Sequence, residues 1–585
     1  MENMVKCKIN GAEVLVPKGT TILAAAKQVQ MNIPTLCWHP DLAAWGSCGI
    51  CVVKMEGSPK MFRACTTPVE EGQSIITHDT EIVQVRKNVL QLIMSNHPNE
   101  CLTCARNGTC ELQKIAAEFG IREQPYKTGI RRLPKDDTSP AIVLDPYKCI
   151  QCGRCVHVCQ DMQNVWALEF LSRGEHTRIA SAGDVALVDS PCIKCGQCSA
   201  HCPVGAIYEH DDTAKVWNYL HDDTKHRVVQ IAPAVRVALG ECFGLEPGSI
   251  VTGKLYAALK RLGFHAVFDT NFAADLTIME EASEFVQRFT TGGTLPLITS
   301  CCPAWVDYME KYYNDFIPNF STAKSPMMMQ GAITKTYYAQ KVGKKPEEIY
   351  SVAIMPCTAK KYEIGRDEHM KASGVNDVDC VITTRELAKM IKEAGIDFNS
   401  LPEVAVDSPI GQYTGAGTVF GATGGVMEAA LRTAYNFVTG EDLKGDAVNF
   451  RGIRGMKGVK EAEIDIKGTK VRIAVAHTMG NIEQVLEKIR AARKAGEKSP
   501  WDFIEVMACP GGCISGGGQP YGTNDEVRKK RIAGIYEDDE RSVIRCSHQN
   551  PDIQKIYKDF LDKPGSHKAH DLLHTHYQER PLYQK

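Results

Sequence analysis

Glu505-Val506-Met507-Ala508-Cys509-Pro510-Gly511-Gly512-Cys513, running into Gly516-Gly517-Gly518, is the stretch on which the reading of this chain turns. It opens as part of a short apolar run, Ile504–Met507, of the kind that forms a buried strand. It ends in two thiols and a glycine strip. Two other stretches repeat the design. Thr299-Ser300-Cys301-Cys302-Pro303-Ala304-Trp305 closes the run Leu295–Thr299, and Met355-Pro356-Cys357-Thr358-Ala359-Lys360-Lys361-Tyr362-Glu363 closes Val352–Met355. Further strand-like runs at Val228–Ala232, Ala266–Phe268 and Cys380–Thr383 alternate with helical periodicity near 252–262, 275–289, 325–341, 385–394, 424–437 and 480–494. The alternation predicts an α/β domain over residues 226–525. Open α/β sheets bind ligands at the carboxyl ends of their strands, so Cys301, Cys302, Cys357, Cys509 and Cys513 are expected in one crevice.

Upstream, the thiols fall into ordered arrays. Residues 5–16 alternate around Asn10-Gly11, a hairpin-turn signal, and Thr20 or Thr21 then caps an Ala-rich helix through Val29. Cys37, Cys48, Cys51 and Cys65 follow with spacing C-x10-C-x2-C-x13-C. The arrangement is similar to a plant-type ferredoxin domain with one 2Fe-2S cluster over 1–79, with a longer first gap than in soluble plant ferredoxins. A helix is expected from about Glu81 to Ser95. Then come His97, Cys101, Cys104 and Cys110, the ligand set of a second module, 80–140. Zinc is the generic reading of one imidazole and three thiolates. The sequence more closely resembles the histidine-ligated 4Fe-4S module of complex I and iron-only hydrogenases.

Residues 141–215 contain an internal repeat. Cys149, Cys152, Cys155 and Cys159 read C-x2-C-x2-C-x3-C, and Cys192, Cys195, Cys198 and Cys202 read the same. This resembles the bacterial two-cluster ferredoxin, in which the fourth cysteine of each run ligates the other cluster. Cys149, Cys152, Cys155 and Cys202 are then expected on one 4Fe-4S cluster, and Cys192, Cys195, Cys198 and Cys159 on the other. Four clusters in series suggest a linear electron relay from a buried site to a distant partner.

Bulk properties narrow the class. The 585 residues carry 68 Lys+Arg against 70 Asp+Glu, which argues against a nucleic-acid binder. No apolar run is long enough to span a bilayer. Met1-Glu2-Asn3-Met4-Val5-Lys6 carries no leader pattern, and Arg131-Arg132 lies too deep for a twin-arginine signal. No membrane association is expected, and the cytoplasm is the expected location. The 24 cysteines, mostly two residues apart, point to metal ligation rather than disulfides.

Taken with the three C-terminal motifs, the chain resembles the iron-only (FeFe) hydrogenases, relay modules included. Its architecture is similar to the catalytic subunit of NADP-reducing, multi-subunit hydrogenases of anaerobic bacteria. The resemblance implies that Cys302, Cys357, Cys509 and Cys513 hold a 4Fe-4S cluster. Cys513 then bridges it to a two-iron subsite carrying CO, cyanide and an amine dithiolate, the whole being the H-cluster. Lys360 is implied as a donor to cyanide, with Met355, Met507, Ala232 and Pro233 as pocket walls. Gly516, Gly517 and Gly518 would let backbone approach the cluster. Cys301 is left free, and the resemblance makes it the first carrier of a proton path through Glu281, Ser321, Glu284 and Arg288. On spacing alone, Glu281, Glu284 and Arg288 share one helix face that equally suits a solvated charged surface.

The implied activity is reversible heterolytic cleavage of H2, with protons leaving by that path and electrons by one 2Fe-2S and three accessory 4Fe-4S clusters. No dinucleotide fingerprint is present: Gly415-Ala416-Gly417 continues to Gly421 and fails the G-x-G-x-x-G spacing. NADP and flavin are therefore expected on a partner subunit, with small Fe-S subunits as further partners and ferredoxin as the other acceptor considered. An Fe-S electron carrier, an H2 sensor and a cluster-assembly protein are the alternatives. The intact motifs, Cys301 and Lys360 speak against each in turn. Cys7, Cys242, Cys380 and Cys546 read as buried small apolar residues. The tail, 526–585, bears His567, His570, His574 and His576, and is expected to lie on the catalytic domain or on a partner rather than to bind metal.

Overall fold

The computed structural model describes residues 3–126 and 132–584. Met1, Glu2, Arg131 and Lys585, on which the leader, twin-arginine and outermost domain readings fall, lie outside them. Strands β1 (Met4–Ile9) and β2 (Ala12–Pro17) form the expected hairpin. Both turn residues, Asn10 and Gly11, have positive φ (49° and 84°), which two-residue hairpins of this type require. With β3 (Val52–Met55), β4 (Met61–Arg63) and β5 (Ser74–Ile76) they make a five-stranded sheet of order β2-β1-β5-β3-β4. Thr21 caps the helix Ile22–Gln28, and Asp79 caps Thr80–Ser95.

The relay repeat is framed by β6 (Ile142–Leu144), the hairpin β7 (Leu168–Leu171) and β8 (Arg178–Ser181), and β9 (Ile207–Glu209), which pairs with β6.

The α/β domain contains two sheets rather than one. β10 (His226–Ile231), β11 (Ala266–Asp269), β13 (Ile349–Met355) and β14 (Cys380–Thr383) form an all-parallel sheet of order β11-β10-β13-β14. Every residue of β13 is buried, as a parallel strand covered on both faces requires. The second sheet has the order β12-β17-β16-β15, from β12 (Leu297–Ile298), β15 (Val459–Ile466), β16 (Thr469–His477) and β17 (Phe503–Met507). The β15–β16 hairpin was not among the expected strands. Its Lys460-Glu461-Ala462-Glu463 alternation reads as polar loop, yet it closes the edge of the sheet antiparallel.

The helix expected at 275–289 runs from Thr270 to Thr291, because Asp269 caps it five residues earlier, accepting from the Asn271 N–H. The tail folds back on the α/β domain, as one of the two expectations for it held. Lys324 N donates to Leu573 O (2.8 Å), Thr575 N to Thr322 O (2.8 Å), and Arg580 Nε to Glu310 Oε2 (2.7 Å). No helix among the described residues is long and apolar enough to cross a membrane.

Candidate active site and electron relay

The carboxyl ends of β10, β12, β13 and β17 converge from the two sheets. Between them lies a cavity of about 500 Å³, lined by Ala232, Pro233, Cys301, Met355, Cys357, Lys360, Met507 and Cys513 among others. The wall is almost wholly apolar, and Met355 and Met507 are each 2% exposed. Of the five thiols expected in one crevice, Cys301, Cys357 and Cys513 line it, while Cys302 and Cys509 lie outside its lining. The sequence reading missed Phe420, Met327 and Thr270, which complete the wall. They lie on elements with no thiol motif to mark them.

Cys302, Cys357, Cys509 and Cys513 are close enough for each to act on others electrostatically. Burial, then the charge of Cys302, pushes the Cys357 thiol up to about 12. Bare, four such thiols would stay protonated; a bound cation is what holds them as thiolates. Lys360 Nζ donates to Glu363 Oε2 at 2.7 Å and to Cys301 O at 3.2 Å. An ammonium has three donors, so one is left for the cavity that Lys360 lines.

The glycine strip packs closely on neighbouring protein backbone. A Cβ on Gly516 would strike Pro356 O (2.1 Å), and one on Gly518 would strike the Thr383 side chain (2.7 Å). A Cβ on Gly517 would strike Cys195 O at 2.6 Å. These residues seat the loop against β13 and against the relay repeat, and they do not line the cavity.

Cys301 faces Glu281, which is 2% exposed. Burial raises the Glu281 carboxyl to about 8, against a hydrogen bond with Ser321 that lowers it. Ser321 Oγ donates to Glu284 Oε2 (3.2 Å), and Arg288 Nη2 donates to Glu284 Oε1 (2.5 Å). Arg288 and Glu284 are part-exposed. Ser321, Glu284 and Arg288 thus form a hydrogen-bonded chain that ends at the part-exposed surface, with the buried Glu281 at its inner end.

At the other side of the cavity lies the repeat. Cys195 acts on Cys509, and Cys357 on Cys195. Thr358 Oγ1 donates to Lys194 O (2.8 Å), Gln197 Nε2 to Ser515 O (3.0 Å) and Gln163 Nε2 to Ala508 O (3.0 Å), sewing the two together. Within the repeat, Cys202 acts on Cys149, Cys152 and Cys155, while Cys159 acts on Cys195 and Cys198 and Cys192 acts on Cys159. Cys159 lines one pocket with Cys192, Cys195 and Cys198, the sites of the other run.

The two remaining arrays both abut the outer group. Cys48 and Cys149 line one depression, and Trp45 Nε1 donates to Cys152 O (3.0 Å). From the other module, Arg106 Nη1 donates to Cys202 O (3.0 Å). The layout is a fork that joins at the outer group, not the expected line. In the first array, Cys51 Sγ lies 3.4 Å from Cys65 Sγ, and Cys48 N donates to Cys37 Sγ. In the second, His97, Cys101, Cys104 and Cys110 line one pocket. His97 Nδ1 is buried without a hydrogen-bond partner. A buried lone pair among three thiols suits a metal and costs free energy without one.

Three of the four leftover thiols, Cys7, Cys380 and Cys546, are buried as expected, and Cys242 is not, being half-buried. His574 Nδ1 meets Thr322 Oγ1 (2.8 Å) and its Nε2 meets Glu280 Oε2 (3.1 Å), so it packs on the α/β domain.

The residues fit iron–sulfur and organometallic iron groups: buried thiol quartets, an orphaned imidazole nitrogen, and an apolar cavity with one ammonium at its wall. Comparison with known proteins agrees. Residues 225–517 match the family described as iron only hydrogenase large subunit, C-terminal domain, and 525–580 match iron hydrogenase small subunit. Residues 2–80, 86–125 and 148–206 match a 2Fe-2S cluster binding domain, the NADH-ubiquinone oxidoreductase-G iron-sulfur binding region and a 4Fe-4S dicluster domain. The chain is 47% identical to the NADP-reducing hydrogenase subunit HndD of Solidesulfovibrio fructosivorans, over 99% of both chains. It is 40% identical to iron hydrogenase 1 of Clostridium pasteurianum, over 98% of this chain and 99% of that one. Among solved structures, apo [FeFe]-hydrogenase HydA1 of Chlamydomonas reinhardtii superposes with a TM-score of 0.56 at 42% identity, covering 63% of this chain and 99% of that one.

Proposed function

The chain belongs to the iron-only hydrogenase family and is a hydrogenase with iron–sulfur relay domains, and from that premise we propose what each of its residues does. Cys302, Cys357, Cys509 and Cys513 would hold the 4Fe-4S part of the H-cluster, and Cys513, which lines the cavity, would be the attachment point of its two-iron unit. When bound, that unit supplies an open metal site and a basic amine for heterolytic splitting of H2. The apolar wall of Ala232, Pro233, Met355 and Met507 excludes water from it. Lys360, kept charged by Glu363, orients the unit through its remaining N–H.

Cys301 Sγ moves the proton. It passes to the Glu281 carboxyl, to the Ser321 hydroxyl, to Glu284 Oε2 and out beside Arg288. Arg288 offers donors and no acceptor. Its role is to hold Glu284 in place. Cys192, Cys195, Cys198 and Cys159 would hold an inner relay cluster, and Cys149, Cys152, Cys155 and Cys202 an outer one. Cys37, Cys48, Cys51 and Cys65 would hold a 2Fe-2S cluster, and His97, Cys101, Cys104 and Cys110 a further 4Fe-4S cluster. Together these would supply electron transfer between the cavity and a partner. The module bounds 1–79, 80–140, 141–215, 226–525 and 526–585 follow these sites.

The observation that carries the reading is the apolar cavity lined by Cys301, Cys357, Lys360 and Cys513, with the buried Glu281 behind Cys301. The acceptor is NADP on a flavin-bearing partner subunit, in keeping with the likeness to HndD and with the lack of a dinucleotide fingerprint. The test is H2 oxidation by the matured chain alone. Viologen dyes are expected to be reduced and NADP is not; direct NADP reduction by the pure chain would end the partner assignment.

A further inference from the structure

A proton that reaches Glu284 needs an acceptor beyond it, and Arg288 offers only donors. An acceptor lies on the other side of the carboxylate. Thr322 Oγ1 is 3.4 Å from Glu284 Oε2, and Thr322 N donates to the same oxygen at 3.1 Å. His574 Nδ1 lies 2.8 Å from Thr322 Oγ1. That ring comes from the tail, within the stretch 525–580 that matches the small-subunit family. Backbone fixes it there: Lys324 N donates to Leu573 O and Thr575 N to Thr322 O, both at 2.8 Å, and Ala323 pairs with His574. Tyr577 OH donates to Ser321 O at 3.0 Å. The tail thus lies along the segment that carries Ser321 and Thr322.

The contacts fix which ring nitrogen is free. His574 Nε2 lies 3.1 Å from Glu280 Oε2, an oxygen that also accepts from Gly565 N at 2.8 Å, while Tyr557 OH donates to Glu280 Oε1. An acceptor at that place puts the ring hydrogen on Nε2 and leaves Nδ1 as the acceptor of the imidazole. Thr322 has a single hydroxyl hydrogen to give. Its 2.8 Å contact with Nδ1 has the length of a hydrogen bond, and its 3.4 Å contact with Glu284 is long for one. The hydrogen therefore lies on the His574 side, and an oxygen lone pair faces Glu284. Donors and acceptors run in one sense, from the Glu284 carboxyl to the Thr322 hydroxyl to His574 Nδ1.

The groups around the ring suit a cation. Glu280 is 1% exposed, so its pull on a charged imidazole is little screened. Glu284, on the same helix, stands one hydroxyl away. Tyr557 stands behind Glu280. Lys324, on the packed segment, directs its ammonium to Leu572 O (2.9 Å) and Asp377 Oδ2 (3.5 Å). On the tail helix itself the exposed His570 stacks on the ring, with centroids 4.8 Å apart. His574 is 6% exposed, so the ring stands at the boundary with solvent.

We propose that His574 is the proton acceptor beyond Glu284, reached through the Thr322 hydroxyl, so that the tail supplies the outermost relay group of the proton path. In the transfer the Glu284 O–H bond breaks as a new Thr322 O–H bond forms, and the hydrogen that Thr322 already held passes to His574 Nδ1. The ring becomes an imidazolium paired with Glu280. The step reverses when protons are drawn inward. Imidazole suits this place because its unperturbed charge change falls in the physiological range. The inference rests on the proton path through Glu281 and Glu284 proposed above.

The experiment measures H2 turnover of the assembled full-length protein and its variants, with iron content on each, in weak buffer and again with added imidazole. His574→Asn keeps a polar group but takes no proton. Turnover should fall by about 10²-fold, the lower end of the range for a lost proton-transfer group, and added imidazole should restore much of it. Thr322→Val should do the same, and carries the test if His574→Asn does not assemble. The double variant should lose no more than either single one. Thr322→Ser keeps the hydroxyl and should stay near the unvaried rate. In ¹⁵N-histidine NMR spectra, the ring that disappears in His574→Asn should carry its hydrogen on Nε2 and shift in Thr322→Val. Near-normal turnover in His574→Asn and Thr322→Val at full iron content would give the acceptor role to water at Glu284 and overturn the proposal. A loss that imidazole leaves unchanged, or a hydrogen on Nδ1 with Nε2 bare, would overturn it too. Glu284→Gln separates the two readings. If it is slow while both other sites tolerate change, this inference alone falls; if it is as fast as the unvaried protein, the path falls with it.

Discussion

Gly517 and Gly196 meet backbone to backbone: a Cβ on Gly517 would stand 2.7 Å from the Gly196 Cα. This contact holds the loop of Cys509 and Cys513 against the loop of Cys195, and on the proposed relay it would set the first electron step. Gly517→Ala forces one of the two loops to move, an overpacking that costs about 1–3 kcal/mol. The expected outcome is a lower thermal midpoint and slower H2-driven dye reduction, with the cavity's infrared signature kept. Unchanged kinetics would mean that the seam is not the electron route.

Glu281→Gln keeps the shape of the side chain and removes its ability to carry a proton. H2 turnover should fall by about 10²–10⁴, the range for a lost proton-transfer group. Iron content and the redox titration of the accessory clusters should not change. Near-normal turnover would return the helix to the role of a charged face.

The Glu281 carboxyl also predicts a pH dependence. Its folded-state value, about 8, lies above the unfolded value of 4.5, so the folded chain holds a proton that the unfolded chain gives up. Stability from this group is fully present below pH 4.5 and is lost as pH rises to about 8. Denaturation midpoints of Glu281→Gln and the unvaried protein should therefore diverge across that window, with the unvaried protein losing more. Parallel midpoints would contradict the burial of an acidic group there.

How much of this was legible beforehand differs by scale. Every thiol array was readable because ligand spacing is local: two residues between cysteines is a loop closing around a metal. The cavity was readable as far as its walls lie next to a thiol motif. The β15–β16 hairpin was not, because Glu461, Glu463 and Asp465 at an edge strand resemble a loop. The contact of His574 with Glu280 was not legible either, since no periodicity links residues so far apart in the chain. The packing partner of the glycine strip was not legible for the same reason: Gly517 meets Gly196, 321 positions earlier.

The fork makes the two outer arrays separable. His97→Ala leaves Cys101, Cys104 and Cys110 one ligand short. Iron content should drop by about four atoms per chain, one cluster's worth. Dye reduction should persist through the other arm. If His97→Ala abolished all electron output, the relay would be a single line after all.

The most direct test of the central claim is the infrared spectrum of the matured protein with its iron content. The account predicts CO and cyanide stretching bands, roughly 20 iron atoms per chain from the cluster stoichiometry, and loss of the bands in Cys513→Ser with the accessory clusters retained. Iron at that level without such bands, or zinc in the thiol quartet, would contradict it.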